Sequence, residues 1–173
     1  MRKAHEWVGL PVLAINTGKQ LGRAKDLVID DAWMITGIIL ESKQWFASLR
    51  YISSANVAAF GEDAITVADE TAVQDLDDEA KLNAFIGGTR KIKGLPVITV
   101  GGEQLGIVED VYLAQDWGTQ IIGYELSEGF ISDVKDGRKW LPMPDQAVRG
   151  ENAIIVSIHR VRDLEVPFVT KEE

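Results

Sequence analysis

The stretch Gly94-Leu-Pro-Val97, followed by Gly102-Glu-Gln-Leu-Gly106, has an earlier copy in Gly9-Leu-Pro-Val12 and Gly18-Lys-Gln-Leu-Gly22. Each copy contains an apolar extended run, a glycine turn and a second apolar run that begins at Leu-Gly. A tight hairpin needs a positive φ at the turn, and glycine adopts positive φ freely. Self-similarity of this kind indicates one fold that is built twice.

Outward from these motifs, both copies alternate short apolar runs with turn residues. In the first copy, strands are predicted at residues 10–15, 21–29, 33–40, 45–52 and 64–67, with a loop or helical turn at 53–61. In the second copy, strands are predicted at residues 95–100, 105–113, 120–126, 139–141 and 153–158. Five or six short strands joined by tight turns favour a small antiparallel barrel, because closure removes exposed strand edges.

An acidic segment separates the two copies. Residues 69–79 hold six carboxylates and no basic residue, and Asp77 or Asp78 can cap a short helix that runs to about Phe85. The predicted fold class is therefore mainly β, with two tandem small antiparallel β-barrels joined by an acidic linker with a short helix. The predicted ranges are repeat one at 1–68, the linker at 69–90, repeat two at 91–158 and a C-terminal extension at 159–173.

Composition limits the classes of function. The chain has 173 residues, no cysteine and a formal net charge of −9, and this acidity disfavours tight binding to phosphate backbones and anionic lipid. The lack of cysteine excludes disulfides, thiolate metal ligands and a cysteine nucleophile, and fits a reducing cytoplasm. The apolar run after Trp7 suggests a signal peptide, but the same run recurs at Leu95–Val100. We therefore expect a strand there, no membrane insertion and a cytoplasmic location.

Sequence motifs for chemistry are weak. Gly18-Lys19 lacks the hydroxyl residue and the spacing of a phosphate-binding loop. His5 and His159 stand apart from any metal-ligand spacing. Asp26 and Asp110 occupy the same place in the two copies; they could hold a cation, but binding of turn N–H groups is the favoured interpretation. We predict no catalytic residue, no metal site and no cofactor, and hence no enzyme.

Tryptophan is frequent, with five residues in this chain. Trp33 and Trp117 both follow turn acids in the two copies. They would either pack between the two barrels or lie exposed, where aromatic side chains mark partner surfaces. Phe130 lies in the longer loop 127–137 of the second copy. Trp33, Trp117 and Phe130 are therefore the candidate partner-surface residues.

The order of these motifs resembles the PRC-barrel family. The matching pieces are Gly9–Val12, Gly18–Asp26, Gly37–Leu40 and Ile52–Val67, then Gly94–Val97, Gly102–Asp110, Gly123–Leu126 and Leu141–Val156. This fold occurs in the cytoplasmic domain of the photosynthetic reaction centre H subunit, in the C-terminal domain of ribosome maturation factors and in small bacterial and archaeal proteins. The family is not known for a catalytic site, so the resemblance implies none here.

The combined prediction is a bacterial, cytoplasmic, tandem PRC-barrel protein without catalysis. It would act as an adaptor that binds a protein partner, or a second copy of itself in a homodimer, through barrel surfaces. A second hypothesis is an accessory factor in RNA processing or ribosome maturation that acts through a ribosomal protein, because the basic cluster Arg90-Lys91-x-Lys93 is too small for strong RNA binding. A small-ligand carrier or enzyme is a third hypothesis, and it requires a pocket between the barrels.

Overall fold

A computed structural model of the chain describes residues 2–41, 49–114, 118–127 and 138–158, without the side chains of residues 138 and 139. Within these ranges the first half of the chain contains strands β1 (Arg2–Lys3), β2 (Pro11–Ala14), β3 (Gln20–Ile29), β4 (Ile35–Leu40), β5 (Arg50–Ser53), β6 (Val57–Phe60), β7 (Ile65–Val67) and β8 (Gln74–Asp75). Helix α1 (Asp78–Leu82) follows. The second half contains β9 (Pro96–Thr99), β10 (Gln104–Leu113), β11 (Ile121–Ser127), β12 (Arg138–Pro142), β13 (Ala147–Arg149) and β14 (Ile154–Val156).

The same sheet is built twice. The first has the strand order β6-β7-β2-β3-β4-β5-β8, and the second has the order β12-β11-β10-β9-β14-β13 with β1 paired to β10. The mainly β, tandem architecture is therefore confirmed. One feature adds to the antiparallel prediction, because β2 pairs with β7 and β9 pairs with β14 in parallel.

The turn glycines of the repeated phrase behave as the sequence indicates. Gly18 has a φ of 68° and Gly102 a φ of 85°. The N–H of Gly18 donates to the Ala14 carbonyl, and the N–H of Gly102 donates to the Thr99 carbonyl. These bonds close the hairpins that lead into β3 and β10, which are both ten residues long.

Short edge strands are the main departure from the sequence prediction. β6 and β13 lie where a loop or a helical turn was expected, and a 3₁₀ turn at Ser54–Asn56 precedes β6. β8 pairs with β5, so the first sheet extends into the segment expected to be linker. Strands of two to four residues carry too little alternation to be recognised from sequence alone.

The predicted linker helix is confirmed, although it is shorter than expected. Asp77 is its N-cap, with a carboxylate that accepts the Ala80 N–H at 2.6 Å. The helix ends at Leu82, three residues earlier than predicted. It ends there because the following residues pair with the first sheet, where the Phe85 N–H donates to the Leu27 carbonyl at 2.8 Å.

The segments that precede the two sheets are exchanged between them. We call residues 2–7 the first leader and residues 83–92 the second leader. The first leader pairs with the second sheet, where Lys3 lies opposite Tyr112. The second leader pairs with the first sheet, where Ala84 forms a bridge to Val28. Each sheet is therefore completed by the segment that leads into the other one.

One large hydrophobic cluster joins the halves. Buried side chains of both sheets and both leaders belong to one continuous cluster, which includes Trp7, Leu27, Phe85 and Tyr124. Contiguous packing of this kind makes the two sheets parts of one packed domain, instead of two independent domains joined by a linker. The surfaces described next are positioned by that shared core.

Candidate protein-interaction surface

Two turns meet at the contact between the sheets. The turn at residues 30–34, between β3 and β4, lies against the end of the corresponding turn before β11. The Ile35 N–H donates to the Thr119 carbonyl at 2.8 Å, and the Ile121 N–H donates to the Trp33 carbonyl at 2.9 Å. These reciprocal bonds relate the turns by an approximate two-fold axis. Trp33 and Thr119 consequently occupy corresponding places.

Trp33 is part of this contact and is not exposed. Its side chain is only 5% exposed, its Nε1–H donates to the Ala147 carbonyl at 3.1 Å, and its ring meets Tyr124 edge-on with centroids 5.4 Å apart. Its φ of 60° is the only positive value for a non-glycine residue in the described part of the chain. A bulky side chain holds this conformation only when surrounding contacts impose it. Trp33 therefore packs between the sheets, whereas Trp117 and Phe130 lie outside the described residues.

Asp26 fixes the second leader to the first sheet. Its buried carboxylate accepts the backbone N–H groups of Leu27, Phe85, Ile86 and Gly87 at 2.8–3.1 Å. Burial raises the pKa of Asp26 above the ordinary aspartate value, and the backbone donors oppose that shift by stabilising the charged form. The carboxylate is fully engaged by the fold, in line with the structural role favoured from the sequence.

The second sheet holds the first leader with charge. Asp110 accepts the backbone N–H of His5 at 3.3 Å and also contacts the His5 ring nitrogen Nδ1. The Lys3 ammonium lies 2.5 Å from a carboxylate oxygen of Glu125, which also accepts the Tyr112 hydroxyl at 2.9 Å. Asp110 and Glu125 are 3% and 4% exposed, so two buried acids receive this leader. His5 therefore has a structural partner.

Arg149 links the second sheet to the first sheet and to the second leader. Its guanidinium is 6% exposed and donates to the backbone carbonyls of Ile29 and Arg90. Burial and, to a lesser extent, the neighbouring Arg90 cation lower the pKa of Arg149 to about 10. Arg90 in turn forms an ion pair with Asp31 at 2.7 Å. The first residue of the basic cluster is thus half-buried and engaged in contacts within the protein.

An acidic side chain of the turn after β3 also accepts backbone hydrogen bonds. Asp30 accepts the N–H groups of Ala32 and Met34 with one carboxylate oxygen. Within the described residues, no group of three or more histidine or acidic side chains is placed to hold a metal ion. His159 and Asp116 lie outside that part of the chain.

An apolar patch lies on the outer face of the second sheet. Val148 is 63% exposed and pairs with Ile155, which is 38% exposed. Ile155 lies opposite the half-buried Ile98 of the adjacent strand, so the row crosses three strands. We call Val148, Ile155 and Ile98 the apolar patch. Exposed β-branched side chains that line up across strands are candidates for contact with another protein.

The first sheet lacks this patch. The residues that correspond to Val148 and Ile155 are Ala59 and Thr66, which form the same cross-strand pair. Sequence reasoning missed the patch because it considered only aromatic side chains. The signal was present, since the aligned copies differ by Ala against Val and by Thr against Ile at these two positions.

An open cleft lies on the first sheet beside the contact between the sheets. It has a volume of about 370 Å³ and is lined by Ser54, Val57, Ala58, Ala59, Phe60 and Thr119. Four of these residues form β6, and Thr119 comes from the second half of the chain. The cleft is therefore formed only when the two halves are packed together.

The comparison with known proteins establishes the family. The sequence profile of the PRC-barrel domain matches residues 1–74 and residues 88–163. These two matches cover most of the chain, so the chain belongs to the PRC-barrel family, and the resemblance predicted from the repeated phrase is confirmed. The chain is similar to the uncharacterized protein YrrD of Bacillus subtilis (strain 168), with 28% identity over 152 residues that cover 86% of this chain and 82% of that protein.

Among the residues that the structure describes, no helix is both long and apolar enough to cross a membrane.

Proposed function

We propose that this chain is a non-catalytic interaction module of the cytoplasm that binds a protein partner through the apolar patch. The observation that carries the proposal is the cross-strand pair of Val148 and Ile155, which is exposed, whereas the other large apolar side chains in the described strands of that sheet are buried or half-buried. Water contact with two neighbouring apolar side chains is unfavourable, and a partner that covers them removes this cost.

The chemistry of the patch favours a protein over a nucleic acid. Its members carry no charge, and the whole chain has a net charge of −9. Phosphate backbones are bound mainly through lysine and arginine, which this surface does not provide. A flat apolar row on a sheet instead matches the centre of a protein interface, where charged residues are depleted.

Buried polar groups support the non-catalytic part of the proposal. Asp26, Asp110, Glu125 and Arg149 are buried titratable side chains at the joins between the halves, and each is bound to backbone or side-chain groups of the fold. Groups engaged in this way hold segments of the fold together and are not presented to a substrate.

The test replaces two residues of the apolar patch with the residue types found at the corresponding positions of the first sheet. The double variant Val148→Ala with Ile155→Thr places there the residue types found at positions 59 and 66. Because both side chains are exposed, we expect little change in stability and a loss of partner capture from the native host, read by cross-linking and mass spectrometry. Ile15→Thr is the control, since Ile15 is also 63% exposed but lies in the turn that follows β2 in the first half.

Two results would contradict this proposal in different ways. Equal capture of the same partner by the wild type and the double variant would remove the patch from the interface. Capture of ribosomal proteins that survives in the double variant would favour the accessory role in ribosome maturation. Self-association that the double variant abolishes, measured by sedimentation velocity, would identify the partner as a second copy of the chain.

A further inference from the structure

Corresponding places on the two sheets differ in what fills them. In the second sheet the indole of Trp33 donates to the Ala147 carbonyl of β13 and packs against Tyr124. In the first sheet the sequence alignment matches Ala147 with Ala58 of β6, which lines the open cleft, although a β-bulge leaves Val57 in the paired position that Ala147 has in the second sheet. The second sheet therefore shows that an indole can fill the place that is a cleft on the first sheet.

Among the described residues, a small side chain occupies the place at the first sheet that Trp33 occupies at the second. Thr119 corresponds to Trp33 across the approximate two-fold axis, because each accepts the reciprocal backbone bond from the other turn. A threonine side chain is far smaller than an indole, and a cleft of about 370 Å³ remains beside it. That volume lies within the range of sites that bind small molecules or single large side chains.

The walls of the cleft suit an aromatic side chain with one hydrogen-bond donor. Val57, Ala59 and Phe60 offer apolar surface, and the small Ala58 leaves access to the backbone. A β-bulge between Val57 and Ala59 places Ala58 outside the regular register with β7. Residues at bulges are commonly re-aimed away from the ladder and toward a neighbouring group.

We propose that this cleft binds a tryptophan side chain of the protein partner, with its ring against Val57 and Phe60 and its N–H donated to the Ala58 carbonyl. The inference rests on the proposed function, because it assigns to the partner a specific anchor residue. Buried tryptophans commonly supply much of the binding energy at protein interfaces. The cleft would therefore add specificity to the less selective contact made by the apolar patch.

A free tryptophan derivative tests the cleft without knowledge of the partner. N-acetyl-tryptophanamide is titrated into the labelled full chain, and the backbone amide signals of Ala58, Ala59 and Thr119 are followed by NMR. We expect saturable shifts at these positions with a dissociation constant in the millimolar range, as fits a single side chain without its protein context. N-acetyl-leucinamide, which lacks the ring and its donor, should bind at least tenfold more weakly.

Two variants close the cleft in ways that the second sheet already uses. Thr119→Trp places an indole where Trp33 lies in the other half, and Ser54→Met introduces the residue found at the corresponding position 143. Both should weaken binding of the tryptophan probe at least tenfold. Thr89→Trp adds an indole at an exposed position away from the cleft and should bind the probe like the wild type. If Thr119→Trp does not fold, Ser54→Met carries the test.

Each alternative outcome overturns the inference. Absence of saturable shifts in the wild type means that the cleft does not recognise an indole. Shifts that occur only in a Trp117→Ala variant mean that the chain fills the cleft with its own side chain. Loss of the partner in the patch variant, with full retention in both cleft-filling variants, would leave the proposed function standing and remove the tryptophan site.

Discussion

Asp26 and Asp110 stand at the same position of two ten-residue strands, and each holds the leader segment that precedes the other sheet. The chemistry differs between them. Both accept the N–H of the next residue, but Asp26 also accepts three backbone N–H groups of the second leader, whereas Asp110 is met by one backbone N–H of His5 and by its ring. The two carboxylates thus do the same task with different donors. The consequences can be tested one side chain at a time.

Asp26→Asn should destabilise the protein by about 1–3 kcal/mol, because one acceptor oxygen becomes an amide that faces the N–H groups of Ile86 and Gly87. The free energy of unfolding is measured by urea denaturation. Asp63→Asn is the matched control at an exposed site and should leave stability nearly unchanged. Equal effects of the two substitutions would show that the buried carboxylate does not hold the second leader.

Trp33 and Trp7 form a natural pair for a second prediction. Both indoles are buried, but the N–H of Trp33 is bonded to the Ala147 carbonyl, whereas the Nε1 of Trp7 has no partner among the described residues. Phenylalanine removes the N–H in each case. Trp33→Phe should therefore cost about 1 kcal/mol more than Trp7→Phe, since only the first leaves a buried carbonyl without its donor.

Thermal and urea unfolding of the two variants provide the comparison. Trp7 also stacks on Phe60 with centroids 4.4 Å apart, and a phenyl ring can keep most of that contact. A larger loss at Trp7 than at Trp33 would contradict the role given to the indole bond between the sheets.

Leader segments are the elements that distinguish this structure from two independent barrels. Besides its hydrogen bonds to Asp26, the second leader makes an apolar contact with the first sheet, with Ala84 packed against Val28 and Ile39. The first leader meets the second sheet through charge, with Lys3 on Glu125, the position that corresponds to Ile39. At the corresponding positions Ile39 and Glu125, one leader is therefore held by an apolar contact and the other by an ion pair.

The ion pair of Lys3 and Glu125 predicts a measurable coupling free energy between these two side chains. A double-mutant cycle of Lys3→Met and Glu125→Gln should give an interaction free energy of about 1 kcal/mol or more, because the acid is only 4% exposed. The same cycle at Lys19 and Glu70, which form an exposed pair at 2.9 Å, is the control and should give a value close to zero. Additive effects in both cycles would show that charge does not fix the first leader.

Elements were predicted from sequence where they are long or repeated. The long strands β3 and β10 and the capped helix α1 carried enough periodicity or a capping aspartate to be recognised. β6, β8 and β13 were missed because two to four residues cannot show a period. β1 was missed for a different reason, since its partner β10 lies in the other half and no local pattern announces so distant a pairing.

The candidate site was less predictable than the fold. Trp33 was correctly considered for packing between the barrels, but its exposure could not be decided without knowing that β13 receives it. The patch at Val148 and Ile155 depends on which strand faces water, and that is a property of the assembled sheets. The cleft at Thr119 depends on residues from both halves, so no single segment of sequence contains it.

At the scale of the whole molecule, one shared core and two exchanged leaders predict a single cooperative unit. We expect the chain to unfold in one transition by differential scanning calorimetry, with the calorimetric enthalpy close to the van't Hoff enthalpy. Destabilising either sheet should lower the midpoint of that one transition. Two resolved transitions would mean that the continuous cluster of buried side chains does not couple the halves.

Arg149 offers a way to weaken this coupling selectively. Arg149→Met removes the bonds to the Ile29 and Arg90 carbonyls while keeping apolar bulk, and should cost roughly 3 kcal/mol because buried acceptors lose charged donors. Arg149→Lys should recover only part of that loss, since a single ammonium cannot serve both carbonyls as a planar guanidinium does. Full recovery by lysine would contradict the role of the planar group.

The exchange of leaders also sets an order of events during protein synthesis. His5 leaves the ribosome early but finds Asp110 only after 105 further positions have been translated. At roughly 5–20 residues per second, that wait lasts several seconds. The first sheet is likewise incomplete until Phe85, Ile86 and Gly87 emerge to meet Asp26. The first sheet can therefore be completed before β9 is translated, whereas the first leader can dock on Asp110 only after β10 has been made.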